Sequence, residues 1–249
     1  MEDEDPDSVC PHTFNCSNQP GTVSLDIGRV PSYLSLASSS LSCLGSFLIL
    51  LTYVLLRDMR TGAQKVITLL AIADFFTAFG YIIGGANFLH HFNVKTPADC
   101  RIFHTVCEIQ SFVTTWSTMC SYLWTSILAF YFFLVLVFNK VTLAGRLIPL
   151  YNVIAWAGPL TIMIPLLATN SLGYAPFVAS NWCYIKDNRY SSQNLRKNVK
   201  VIVLILVGGK LWEVMTYVWI SVLYVLIRIK VSRVSHSVSP KSGVSACIK

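Results

Sequence analysis

Three ionisable residues lie where ionisable residues are expensive: Asp74, Lys210 and Glu213 each fall inside a long apolar run. A charge at the centre of a bilayer costs about 2.5–3.5 kcal/mol even on lenient insertion scales, so such groups face an interior, pair with one another and take part in function. Lys210 and Glu213 are three apart and share one helix face, although Lys before Glu is the less favourable order. The pair serves either to neutralise itself during insertion or to contact a ligand. Asp74 has no partner in its own segment, so it requires a group on another helix, a bound cation or a protonated state. Its expected role is that of an ion-sensing or conformational switch. A second chemistry-bearing set is the cysteines, of which Cys107 and Cys183 flank the third and fourth apolar runs.

The elements that must position these groups are five apolar runs, at 33–56, 66–89, 109–138, 147–169 and 201–227. Each exceeds the ~20 residues a helix needs to cross the hydrocarbon core. With 54% hydrophobic and only 12% charged residues in 249, the chain is an all-α membrane protein with membrane lipid as its solvent. What remains is too short for a separate soluble catalytic domain: a tail over 1–30, short loops, one connection after the fourth run and a tail over 234–249. The net charge of +7 is scattered over loops without a basic stripe or a reading motif, which excludes nucleic acid as a partner. No HExxH, CxxC, GxSxG, P-loop or dinucleotide fingerprint occurs, so no metal, cofactor or enzymatic activity is expected.

Orientation follows from charge. The segment before the first run carries Glu2, Asp3, Glu4, Asp5, Asp7 and Asp26 against Arg29 alone, whereas Arg57, Arg60 and Lys65 follow it. The positive-inside rule then puts the N-terminus outside. The Asn15-Cys16-Ser17 sequon falls in that outer tail and makes Asn15 a glycosylation candidate. Cys10, Cys16, Cys100, Cys107 and Cys183 all fall on the same side, which permits disulfides. A Cys107–Cys183 bridge would pin the long connection over the mouth of the bundle, but spacing leaves the pairing open.

Four of the five helices carry a polar or small-residue stripe at helical spacing: Ser35, Ser39, Ser42 and Ser46; Asp74, Thr77, Tyr81 and Gly85; Gln110, Thr114, Ser117, Ser121 and Thr125; Lys210, Glu213, Tyr217, Ser221 and Tyr224. The serine stripe of the first run reads as packing, since small residues let helices approach closely. Gly158-Pro159 and Pro165 should bend the fourth helix. The expected ligand pocket lies between the second, third and fifth helices and the outer connection, with Tyr81, Gln110, Thr114, Trp182, Trp212 and Tyr217 as candidates.

Cys107-Glu108-Ile109-Gln110 with Trp124-Thr125, Trp156 with Gly158-Pro159, Asn181-Trp182-Cys183, Gly209-Lys210-Leu211-Trp212-Glu213 and Leu70 to Asp74 share order and spacing with a known family. Across about residues 31–233 the chain resembles the seven-helix G-protein-coupled receptors of the cyclic-AMP-receptor-like, loosely secretin-like group. The resemblance implies a Cys107–Cys183 disulfide, a multi-pass location at the plasma membrane, an unidentified extracellular ligand and a heterotrimeric G protein as partners. Departures matter too: the third run ends FYFFLVLVFNK without an Asp-Arg-Tyr triplet, so rhodopsin-like switch residues do not carry over. Residues 234–249 hold no apolar run, so five of the expected seven helices are present, as in a truncated isoform or an incomplete gene model. The alternatives to a signalling receptor are a non-signalling partner that associates with a full-length receptor and suppresses it, and a transporter or channel component. The last lacks the hydropathy repeat and paired broken helices such proteins show.

Overall fold

A computed structural model describes residues 23–56, 61–91, 97–174, 182–185 and 195–238. The order of elements is α1 (Val23–Leu55), α2 (Gly62–His91), α3 (Pro97–Phe138), α4 (Val141–Arg146), α5 (Ile148–Ala168), β1 (Leu172–Tyr174), β2 (Cys183–Ile185), α6 (Leu195–Ile205), a π-helical segment (Leu206–Lys210) and α7 (Leu211–Val238). Five helices among the described residues are long and apolar enough to span a membrane: 30–55, 62–89, 105–138, 148–168 and 201–233, the last running through α6, the π segment and α7. Asn15, Cys10, Cys16 and Cys247 lie outside the described residues.

Local chemistry sets the ends. At the start of α2, Thr61 Oγ1 accepts from the Gln64 N–H at 3.3 Å while Gln64 Oε1 accepts from the Thr61 N–H at 3.1 Å, a reciprocal capping box. The helix therefore begins four residues before the apolar run does. α1 and α3 likewise start well before residues 33 and 109, because a helix continues past the hydrocarbon as polar turns. Cys107, two residues before the third apolar run, accordingly sits inside α3. α3 ends at Asn139, whose φ of 56° is left-handed, and α5 ends at Asn170 with φ 50°. At the second end Ser171 N–H reaches the Leu166 carbonyl and Asn170 N–H the Leu167 carbonyl, at 3.0 and 2.9 Å, which satisfies carbonyls the helix leaves open. α5 runs unbroken through Pro159 and Pro165.

α3 is the centre of the bundle, packing on α2, α5, α7 and both strands, and α1 packs on α2. One core joins Val66 and Ala73 of α2 to Cys120, Trp124, Tyr131 and Leu134 of α3, Ala144 of α4 and Ala155 of α5. A second joins Met119, Met163 and Leu166 to Leu172 and Ile185 of the strands, with Trp116 and Trp212 against it. Trp116 donates its indole N–H to the Trp156 carbonyl at 3.2 Å and so ties α3 to α5. Leu41, Leu44, Phe47, Val214, Val218 and Val222 stay exposed, the apolar belt expected of helices bathed in lipid.

β1 and β2 form an antiparallel hairpin with Leu172 opposite Ile185, Gly173 opposite Tyr184 and Tyr174 opposite Cys183. Gly173 adopts φ 149°, a conformation only glycine takes without strain. Its strands are too short to be stable alone, and what holds them is α3.

Candidate functional site

The hairpin is fastened to α3 at three consecutive levels. Cys107 and Cys183 form a disulfide with their Cα atoms 5.4 Å apart, both side chains being buried. Gln110, one helical turn on, is 2% exposed; its Oε1 accepts from the Cys183 N–H at 3.0 Å and its Nε2 donates to Thr114 Oγ1 at 2.9 Å. Ser111 Oγ donates to the Tyr184 carbonyl at 2.5 Å. Gly84 of α2 makes room for this, since a β-carbon there would come within 2.9 Å of the Gln110 amide carbon. Gln110 and Thr114 thus spend their polar groups on the hairpin and on each other, beneath it.

Beside this fastening, α1, α2 and the residue preceding Cys183 enclose a cleft of about 340 Å³. Its lining is polar for a membrane span: Ser35, Ser38, Ser39 and Ser42 from α1, Asp74, Thr77 and Tyr81 from α2, and Trp182. Asp74 Oδ1 accepts from Ser121 Oγ on α3 at 2.5 Å, so the carboxylate has a partner on another helix. Thr77 Oγ1 and Ser117 Oγ lie 2.9 Å apart one turn nearer the hairpin. Above them the Tyr81 and Trp182 rings meet edge to face, with centroids 5.5 Å apart, an arrangement that contributes about 0.5–1.5 kcal/mol beyond burial. The carboxylate and its surrounding hydroxyls can accept and donate hydrogen bonds to a polar or cationic group, and aromatic faces close the top.

Of the sequence-derived candidates, Asp74, Tyr81 and Trp182 share this cleft. Gln110 and Thr114 lie under the hairpin, and Trp212 and Tyr217 belong to the fifth span instead: the Trp212 indole N–H donates to the Val207 carbonyl at 3.0 Å, and Tyr217 is exposed. Lys210 Nζ and Glu213 Oε2 pair at 2.8 Å, three residues apart as their spacing suggests, but the Lys210 side chain is 62% exposed rather than turned into the bundle, because no described helix packs on that face of the fifth span. Three of the four members of the α1 serine stripe line the cleft together with Ser38. Ser121 appears in the stripe of the third run; its role as the Asp74 partner needed the helix pairing. Tyr184 and Ser111 carried no signal beyond adjacency to Cys183 and Gln110. Burial pushes the Tyr184 phenol up from its ordinary value, with a smaller push from Tyr81 nearby, so the ring enters the bundle as a neutral donor. Among the described residues no group of three His, Cys, Asp or Glu side chains could hold a metal ion, and Cys43 and Cys120 are free thiols.

The chain is similar to G-protein coupled receptor 157 of Mus musculus, 31% identical over 206 residues that cover 82% of this chain and 56% of the relative. It is similar to the Homo sapiens protein of the same name, 30% identical over 210 residues with the same coverage. Cyclic AMP receptor-like protein C of Dictyostelium discoideum is 25% identical over 125 residues, or 48% of this chain and 32% of the relative. The chain spans little more than half the length of the first two. The family model described as slime mold cyclic AMP receptor matches residues 22–233, from the start of α1 to near the end of α7. The chain is therefore a multi-pass membrane protein that belongs to the slime mold cyclic AMP receptor family.

Proposed function

We propose that this chain is a G-protein-coupled receptor, in which residues 31–233 form five spans of a seven-helix bundle that carries an extracellular signal to a heterotrimeric G protein. The observation that carries this reading is the connection after the fourth span, which is disulfide-bonded to the third and contributes Trp182 to the lining of a polar, carboxylate-bearing cleft. A polar cleft inside a membrane span is suited to holding a polar ligand. The names of the relatives, a G-protein coupled receptor and cyclic AMP receptor-like proteins, point the same way.

The hairpin end is the outer face and the N-terminus lies outside on this reading, supported by the acidic segment before α1, the basic residues after it, and a disulfide that requires an oxidising compartment. The plasma membrane is the corresponding location. Asp74, Tyr81 and Trp182 form the ligand-facing set, Asp74 acting as the switch, while Lys210 and Glu213 are polar contacts of the fifth span. Ser38 and Ser42 remain exposed along the cleft, and hydroxyls facing lipid are poorly placed unless protein or water covers them. That exposure supports two arrangements: the further spans of a longer receptor, or association of the five-span chain with a full-length receptor as a non-signalling partner. Intact mass and C-terminal peptides of the native protein separate them. A chain continuing past Val234 as further apolar helices supports the signalling receptor, and a native end at Lys249 with co-purification of a longer receptor replaces it with the partner reading.

A further inference from the structure

We propose that the β1–β2 hairpin is a latch on the register of the fifth span: Tyr184 and Ile185 seat on Gly208 and Gly209, hold residues 206–210 in the π form, and on lifting let α7 turn against α3. A π turn inside an α-helix is rare and persists where something holds it. Here the Leu211 N–H reaches the Leu206 carbonyl five residues back, and the Trp212 indole N–H reaches the Val207 carbonyl over the same separation. The hairpin touches the span at this place. A β-carbon on Gly208 would come within 2.9 Å of Ile185 Cδ1, and one on Gly209 within 2.5 Å of the Tyr184 hydroxyl oxygen, so the seat exists only because both residues lack a side chain. Ile185 is fully buried there, and the Tyr184 hydroxyl donates to the Ile205 carbonyl at 3.4 Å, at the first boundary of the π segment.

The disulfide, Gln110 and Ser111 tether the hairpin to α3 on one side, so the part that can lift is the grip of the Tyr184 and Ile185 side chains on the fifth span. The one-residue excess of the π segment corresponds to about 100° of rotation and about 1.5 Å of rise. Beyond it α7 meets α3 through Ser126 and Thr216, whose hydroxyl oxygens lie 3.4 Å apart, and through Trp219, whose indole N–H donates to the Ser126 carbonyl at 3.4 Å. Loss of the π register moves Thr216 off Ser126. The latch therefore converts a displacement at the hairpin into a rotation of the far half of the fifth span, whatever displaces it.

The test is oxidative crosslinking in membranes, with products located by peptide mapping. A Ser126→Cys/Thr216→Cys chain reports the α3–α7 contact, and a Thr77→Cys/Ser117→Cys chain, whose native oxygens are 2.9 Å apart, reports the α2–α3 contact. Into each are placed Tyr184→Phe, which removes only the hydroxyl, and Gly209→Ala, which fills the seat. The expected result is that either change slows α3–α7 crosslinking, by at most roughly tenfold, the change one hydrogen bond makes in the ratio of latched to released register, and leaves α2–α3 crosslinking unchanged. The two changes together should slow it no further than one alone, because both open the same latch. An unchanged α3–α7 rate, additive effects, or parallel loss at both pairs would overturn the proposal.

Discussion

Gln110 is the residue through which the hairpin depends most on side-chain chemistry, and replacing it with leucine isolates that dependence. Gln110→Leu keeps the volume and removes two hydrogen bonds, the one from the Cys183 N–H at 3.0 Å and the one to Thr114 Oγ1 at 2.9 Å. The Cys183 N–H lies in a buried residue with the disulfide beside it and cannot turn away. Orphaning a buried donor costs about 1–3 kcal/mol and a lost neutral hydrogen bond about 0.5–1.5 kcal/mol, giving about 2–4 kcal/mol together. Thr114→Val removes only the second bond and should cost about 1 kcal/mol. Thermal unfolding of the purified protein in one lipid or detergent is the assay; for a chain of this size the leucine variant should unfold roughly 5–15 °C lower. The double variant should cost less than the sum, because Gln110 and Thr114 are bonded to each other. A Gln110→Leu protein that melts with the wild type, or no lower than Thr114→Val, would refute the reasoning.

Three further outcomes follow from the geometry. Cys183→Ser should reduce the mobility difference between reduced and unreduced protein and lower stability; the separation of 76 residues gives about 4.5 kcal/mol by loop entropy, an upper bound because the intervening helices stay in the membrane when packing is lost. Lys210→Leu leaves Glu213 alone in a membrane span and should reduce surface expression, while Lys210→Leu with Glu213→Leu should restore it, as read by surface biotinylation. Asp74→Asn keeps an acceptor for Ser121 and should shift stability by less than about 1 kcal/mol, yet it should change signalling output if the carboxylate is the switch.

The five spans were legible because membrane thickness imposes a run length that ordinary composition does not produce, and the stripes of the second and third runs contain Asp74, Tyr81 and Ser121, the first two of which line the cleft while Ser121 donates to Asp74. Helix ends were less so, since apolar runs mark the hydrocarbon rather than the helix. Thr61 and Gln64 carried the capping signal, but it lies outside the run at 66–89. The hairpin was illegible: strands of three residues have no periodicity, and their register comes from α3 through Gln110, Ser111 and Cys107. The polar residues of the second, third and fifth helices point to a pocket among those helices, and the cleft among the described residues is lined from α1, α2 and Trp182. That difference arises because Gln110 and Thr114, polar and inward on α3, are consumed by the hairpin, which only three-dimensional contacts reveal. The π segment carried Gly208-Gly209 as its mark, and its meaning depends on Tyr184 and Ile185 arriving from another element.

The receptor reading is tested most directly by guanine-nucleotide exchange on purified heterotrimers of each class, added to membranes bearing the native protein and, in parallel, its Cys183→Ser variant at matched surface level. The account predicts basal exchange on at least one class above that of empty membranes, falling toward that baseline when the hairpin clamp is removed. Exchange indistinguishable from empty membranes on every class would contradict it.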